Sequence, residues 1–273
     1  MVRQAHHKKR GDKMKNIILL ALSSVFFLAS TAFSQVQTDV VEYKHGNTAL
    51  EGYVSYDKSL KGPRPGILVV HEWYGVNDYV KKRAQQLAQL GYVAFVVDMY
   101  GKGIHPTTPQ ECGIQAGKYR NDRPLMRARV KAALDELKKN KMVDPKKIAA
   151  IGYCFGGSVV LELARSGADI AGVVSFHGGL DTPTPEDAKN IKAKVLVCHG
   201  GDDPHITMEA VTAFHDEMSN AKVDYQVIIY GGAVHSFTNP DAGNDPSKGA
   251  AYSPSVDKRS REAMRQFFNE IFK

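Results

Sequence analysis

Residues 66–71 read GILVVH and residues 93–97 read VAFVV. Runs this short and apolar throughout are what a parallel strand covered on both faces requires. Similar runs predict strands over 147–152, 170–175, 194–198 and 223–230. An opening hairpin is expected from 40–43 and 50–56, with His45-Gly46-Asn47 as turn material. Between the strands, residues 79–90, 125–139, 158–164, 208–218 and 256–272 place apolar positions at helical spacing. The first of these helices stops at Gly91. Residues 99–122 mix Gly, Pro and Thr and read as an excursion over the sheet. Strands alternating with helices imply one α/β domain over 35–273, a mostly parallel central sheet with helices on both faces.

The N-terminus departs from this pattern. Met14-Lys15 is a short positive start, and residues 17–29 are apolar apart from Ser23 and Ser24. Ala32-Phe33-Ser34 then offers small residues where a signal peptidase reads them, so residues 1–34 are expected to be an upstream extension and a cleavable signal peptide. The apolar run is short for a span of about 20 residues. The mature chain is therefore expected to be periplasmic or secreted, with no stable membrane association.

The net charge of +7 is concentrated in the same region. Arg3, Lys8, Lys9, Arg10, Lys13 and Lys15 precede the apolar run with one acid, Asp12. Removing them from the 36 basic and 29 acidic residues leaves a net of only +2. That excludes a basic groove for phosphates, and no nucleic-acid partner is expected. Three cysteines, Cys112, Cys154 and Cys198, cannot all pair with one another. Cys198, inside an apolar run, reads as a buried small hydrophobe. No two have zinc-ligand spacing, and neither metal nor cofactor is expected.

The chemistry concentrates at Gly152-Tyr153-Cys154-Phe155-Gly156-Gly157, between a predicted strand and a predicted helix. A nucleophile on so tight a turn needs neighbours without bulk two residues to either side, and Gly152 and Gly156 supply that. The turn would deliver sulfur to the sheet's C-terminal edge and to a helix N-terminus, where the dipole favours thiolate. An acid and a base follow in the order such a site requires. The strand at 194–198 runs into His199-Gly200-Gly201-Asp202-Asp203-Pro204, and that at 223–230 into a glycine-rich loop bearing His235. In an open parallel sheet these loops emerge on one edge. Asp203 would orient His235, and His235 would move protons to and from sulfur and leaving group. Asp202 is the rival acid; Asp203 is preferred because Gly-x-x-Asp-Pro from Gly200 sets it one step further round the turn. The backbone N–H of Phe155 and, from the loop at 71–75, that of Trp73 are the expected oxyanion donors. His-Gly-Gly runs at His177 and His199 follow the wrong strands for that task and read as turns.

Taken together, His71-Glu72-Trp73-Tyr74-Gly75-Val76-Asn77, Asp98-Met99-Tyr100, the Cys154 turn, the segment from Gly200 to Asp203 and His235-Ser236-Phe237 resemble the dienelactone hydrolase family, a cysteine-dependent branch of the α/β hydrolases. The pieces lie in family order across nearly all the chain after residue 34. The resemblance implies an α/β-hydrolase fold and a metal-free enzyme cleaving a lactone or small carboxylic ester. It also implies a role for Glu72, since a family glutamate at this place contacts the resting nucleophile and helps form the thiolate. Members that process dienelactone hold its carboxylate with two arginines. The corresponding positions here are Lys102 and Asn239; lysine keeps the charge without the bidentate fork and asparagine has no charge. With Tyr74, these residues are the candidates for substrate binding, and a neutral ester or another lactone is as well suited as dienelactone.

The alternatives are a carbohydrate deacetylase or general esterase on the same three residues, and a non-catalytic exported binding protein of the same fold. A metal hydrolase built on His199, Asp202, Asp203 and His205 is the remaining rival.

Overall fold

The computed structural model describes residues 35–273. The chain enters through an antiparallel hairpin, β1 (Val36–His45) and β2 (Thr48–Asp57), with His45 facing Thr48 across a two-residue turn. Gly46 takes φ +57° there, the left-handed conformation that tight hairpins favour. Strand β2 pairs antiparallel with β4 (Val93–Val97), and β4 pairs parallel with β3 (Arg64–Val70). Beyond β3 come β5 (Val143–Tyr153), β6 (Gly172–Phe176), β7 (Lys194–Gly200) and β8 (Tyr225–Tyr230), all parallel. The sheet has eight strands in the order β1-β2-β4-β3-β5-β6-β7-β8.

Because successive side chains leave a strand on opposite faces, the apolar runs divide into two cores. Leu68, Val70, Phe95, Ala150 and Val197 face α3 (Arg123–Lys138), α4 (Phe155–Arg165) and α5 (Met208–Asn220), meeting Val130, Val159 and Phe214. Ile67, Val69, Val96, Ile151 and Leu196 face α1 (Asp78–Gln89) and α6 (Pro254–Ile271), meeting Val80, Leu87 and Phe268. Burying one such side chain contributes about 1.5–3 kcal/mol, so two cores outweigh the ordering cost of connections as long as 99–122.

That excursion holds a helix, α2 (Pro109–Arg120). Its buried face is Cys112, Ala116 and Tyr119, correctly spaced but mostly small, so the apolar stripe is faint in the sequence. The local signal was the cap. Thr108 accepts from the Glu111 N–H, the Glu111 carboxylate accepts from the Thr108 N–H, and proline takes the first helical position. Strand β5 also starts earlier than its apolar run: Val143 and Asp144 pair with Arg64 and Pro65 before the register shifts and Gly66 faces Ile148.

Among the described residues no helix is long and apolar enough to cross a membrane. The expected signal peptide falls on residues 1–34, outside the described residues.

Candidate active site

Cys154 stands between β5 and α4 with φ 51° and ψ −114°, a conformation costly for a residue with a side chain. The surroundings hold it there. Its N–H is shared between the Phe176 carbonyl at 3.0 Å and His177 Nδ1 at 3.2 Å, and its carbonyl accepts from the Gly157 N–H at 2.9 Å. A Cβ on Gly152 would lie 1.9 Å from the Gly156 oxygen, and one on Gly156 2.4 Å from the Val70 oxygen. The turn therefore closes only with glycine at both places. Cys154 remains 9% exposed, on the wall of a cavity of about 800 Å³.

His235 follows β8 in a loop tied down by its own backbone, its N–H on the Gly249 carbonyl and its carbonyl on the Ala251 N–H. Its Nδ1 donates to Asp203 Oδ2 at 2.8 Å. The other Asp203 oxygen accepts from the His205 and Ile206 amides at 2.8 and 3.2 Å. Burial alone would raise Asp203, yet the hydrogen bond and charge of His235 and the two amides hold it below the ordinary carboxylate range. For His235, burial works against the charged form. The negative charge of the Cys154 sulfur, the Asp203 bond and a hydrogen bond to Cys154 overcome it, and the imidazole is pushed up to about 10. Sulfur, imidazole and carboxylate thus meet at one edge of the sheet from loops after β5, β8 and β7. Asp202, the rival acid, is exposed and sends its N–H to the Ala233 carbonyl.

All three cysteines are free; Cys198 is fully buried and its thiol is pushed up to about 12, and burial also raises Cys112. Among the described residues no cluster of three or more His, Cys, Asp or Glu side chains is arranged to hold a metal.

Phe155 is the first residue of α4, so its N–H has no acceptor within the helix. Trp73 and Tyr74, from the loop after β3, line the cavity with rings edge to face at 5.6 Å, and the Tyr100 hydroxyl fixes the Trp73 carbonyl at 2.9 Å. Glu72 lines the same wall and is 3% exposed. It accepts from Ser236 Oγ at 3.2 Å and from Asn239 Nδ2 at 2.6 Å, so its bonds run to the histidine loop and not to sulfur. Burial raises Glu72 above the usual carboxylate range, against the pull of Asn239, His235 and Ser236.

One substrate-binding expectation needs correction. Lys102 does not line the cavity; its ammonium is paired with Glu42 and Glu51 on the hairpin. Asn239 does line it, with its amide nitrogen donating to Glu72 and its oxygen accepting the Asp241 N–H. Cationic groups reach the cavity instead from the end of α2 and the start of α3, as Arg120 and Arg123. Arg123 is already bonded to Asp181 at 2.9 Å. Arg120 lies inside the excursion whose helix was hidden and Arg123 at the start of α3, so nothing in their spacing marked them.

A model of the dienelactone hydrolase family matches residues 50–272. The chain belongs to this family. It is thus a hydrolase on an α/β-hydrolase fold. Among dienelactone hydrolase relatives of known structure, a dienelactone hydrolase-like promiscuous phosphotriesterase from metagenomic libraries is 42% identical, with a TM-score of 0.82 over 86% of this chain and 98% of that one. A protein named m3DLH is 41% identical, with a TM-score of 0.84 over 87% and 99%. A protein provisionally named a 2-oxo-3-(5-oxofuran-2-ylidene)propanoate lactonase, from Bradyrhizobium sp, is 30% identical over 65% of this chain and 75% of its own length.

Proposed function

We propose that this dienelactone hydrolase family member cleaves a lactone or small carboxylic ester through an acyl-cysteine intermediate. The observation that carries the reading is His235, bonded through Nδ1 to Asp203 at 2.8 Å and lining the same cavity as Cys154. Relatives with lactonase and carboxymethylenebutenolidase names support the same bond type.

In this mechanism the Cys154 thiolate attacks the acyl carbon, and the carbonyl electron pair moves onto oxygen. The Phe155 and Trp73 N–H groups receive that oxyanion; one such donor is worth about 3–4 kcal/mol in the transition state. Collapse expels the alkoxide, which takes the proton held by His235. Neutral His235 then draws a proton from water as that water attacks the thioester, and thiolate and carboxylic acid are released. Asp203 keeps the ring oriented throughout. The apolar wall of Trp73, Tyr74 and Ile206 suits a neutral ester, while Arg120 and Arg123 on the same cavity suit a substrate that also bears an acidic group.

The test is a panel of neutral esters, anionic and neutral lactones, acetylated sugars and a phosphotriester, run on wild type and Cys154→Ala. The phosphotriester is included because a 42% identical relative is named for that activity. Turnover lost in Cys154→Ala is expected; turnover retained there would remove the cysteine mechanism. We further infer that residues 1–34 direct export to the periplasm or medium, on the strength of the apolar run and the Ala32-Phe33-Ser34 site, and N-terminal sequencing of the exported chain tests this.

A further inference from the structure

His177 begins the loop after β6 and is fully buried, with φ 40°. The backbone there is crowded: a Cβ on the next residue, Gly178, would lie 2.5 Å from Ser175 Oγ. A left-handed histidine persists only where the surrounding structure over-determines it. The ring has two partners. Nδ1 accepts from the Cys154 N–H at 3.2 Å, and Nε2 lies 2.6 Å from Thr238 Oγ1. An accepting Nδ1 carries no proton, so the ring is neutral and Nε2–H donates to Thr238.

Thr238 is three residues beyond His235. Its hydroxyl also bonds the Tyr79 hydroxyl at 2.7 Å, and its carbonyl accepts from Arg83, whose guanidinium pairs with Asp257 at 2.8 Å. The His177 ring itself lies edge to face with His235, centroids 5.2 Å apart. One neutral imidazole therefore joins the turn that carries the sulfur to the loop that carries its proton partner, and α1 and α6 anchor the far side.

We propose that His177 is a positioning residue, setting the separation between Cys154 and His235 by bridging the Cys154 amide and Thr238. This rests on the cysteine mechanism above. Neutrality is part of the device: a proton on Nδ1 would face the Cys154 N–H and add a second cation beside His235. Burial, then the charges of His235 and Arg83, hold His177 well below the ordinary histidine range. The ionisable groups that bear on His177 are His235, Arg83, His199 and the Tyr153 ring packed against it, with Tyr79 behind Thr238; His235, Tyr74 and Tyr100 bear on Cys154.

The experiment measures iodoacetamide alkylation of Cys154 against pH, with kcat and KM per titrated active site, in wild type, His177→Phe, His177→Asn and Thr238→Val. His177→Phe keeps the ring volume without the bonds. It is expected to lower kcat by about 10- to 100-fold with KM changed less than about threefold, and to move the alkylation inflection upward by about one pH unit as the two halves separate. His177→Asn, whose oxygen can replace Nδ1 as acceptor, is expected to recover at least about a third of the lost kcat. Thr238→Val should move the inflection the same way by a smaller amount, and it serves as the reading if His177→Phe does not fold. A folded His177→Phe with kcat within twofold and an unmoved inflection would overturn the proposal, as would an unmoved inflection in Thr238→Val where the phenylalanine variant does not fold. Failure of the cysteine mechanism would appear separately, as wild-type turnover that survives complete alkylation of Cys154.

Discussion

Asn239 donates to Glu72 Oε2 at 2.6 Å and accepts the Asp241 N–H on its own oxygen, so one amide ties a buried carboxylate to the short turn that follows. Hydrogen bonds to a buried charged group are worth about 1–3 kcal/mol. Asn239→Leu is expected to cost that much in urea unfolding at neutral pH. The loss should shrink under acid, because burial holds Glu72 above its ordinary value and it protonates early. An equal loss at every pH would mean that the carboxylate charge is not what Asn239 serves.

The Cys154 charge and the Asp203 bond, which raise His235 against its burial, predict an alkaline limit of activity. The imidazole is held up to about 10, so kcat/KM for an activated ester should fall as pH rises through that value. Asp203→Asn removes a charge that favours the imidazolium, so its alkaline fall should begin at lower pH. Its kcat should drop on the order of 10⁴-fold, the scale seen when the orienting acid of a triad is neutralised. A pH–rate profile of both proteins decides the point.

The same shift links folding to pH. A group whose pKa is raised on folding stabilises the native state fully below its unfolded value, about 6.5 for histidine, and loses that contribution as pH climbs through its folded one. Thermal melts of wild type between about pH 6.5 and 10 should therefore decline by a component that His235→Gln lacks. Parallel declines would show that the imidazole is not raised.

At Gly156 the obstacle to a side chain is backbone, the Val70 carbonyl 2.4 Å from where a Cβ would sit. Neither wall can yield without moving β3 or α4. Gly156→Ala is expected to lose at least about 3 kcal/mol, the upper range for overpacking, or to yield no soluble protein. Denaturant midpoints and soluble yield measure it.

Beneath α4, Arg165 bridges Glu162 at 3.0 Å and Glu217 at 2.7 Å, all three almost wholly buried. Removing one member leaves buried charge without its partner, at a cost of about 3–5 kcal/mol. Arg165→Leu should show that loss in unfolding, while Lys131→Ala, which breaks an exposed pair with Asp135, should cost under about 1 kcal/mol.

The strands were legible because burial on both faces leaves an uninterrupted apolar run, as 93–97 shows: the expected and observed limits of β4 coincide. Helix α2 was not, because Cys112, Ala116 and Tyr119 make too slight a stripe, and only its cap betrayed it. In the site, order along the chain brought forward Cys154, Asp203 and His235, since parallel strands deliver their following loops to one edge. Position along the chain did not show that Lys102 is paired on the hairpin, away from the cavity, or that Asn239, which lines it, is bonded to Glu72. His177 was passed over as a turn: its partners lie 23 and 61 residues away, and no local pattern announces a ring held between them.

The excursion between β4 and α3 supplies Arg120 to the cavity, with Arg123 at the first turn of α3, yet none of the three groups that meet at the sheet edge. Part of the cavity wall and the three groups that meet at the sheet edge therefore lie on separable stretches of polypeptide. An engineer seeking a new acceptance range can randomise residues 103–123 as a cassette, leaving the sulfur, the imidazole and the glycines that cradle them untouched.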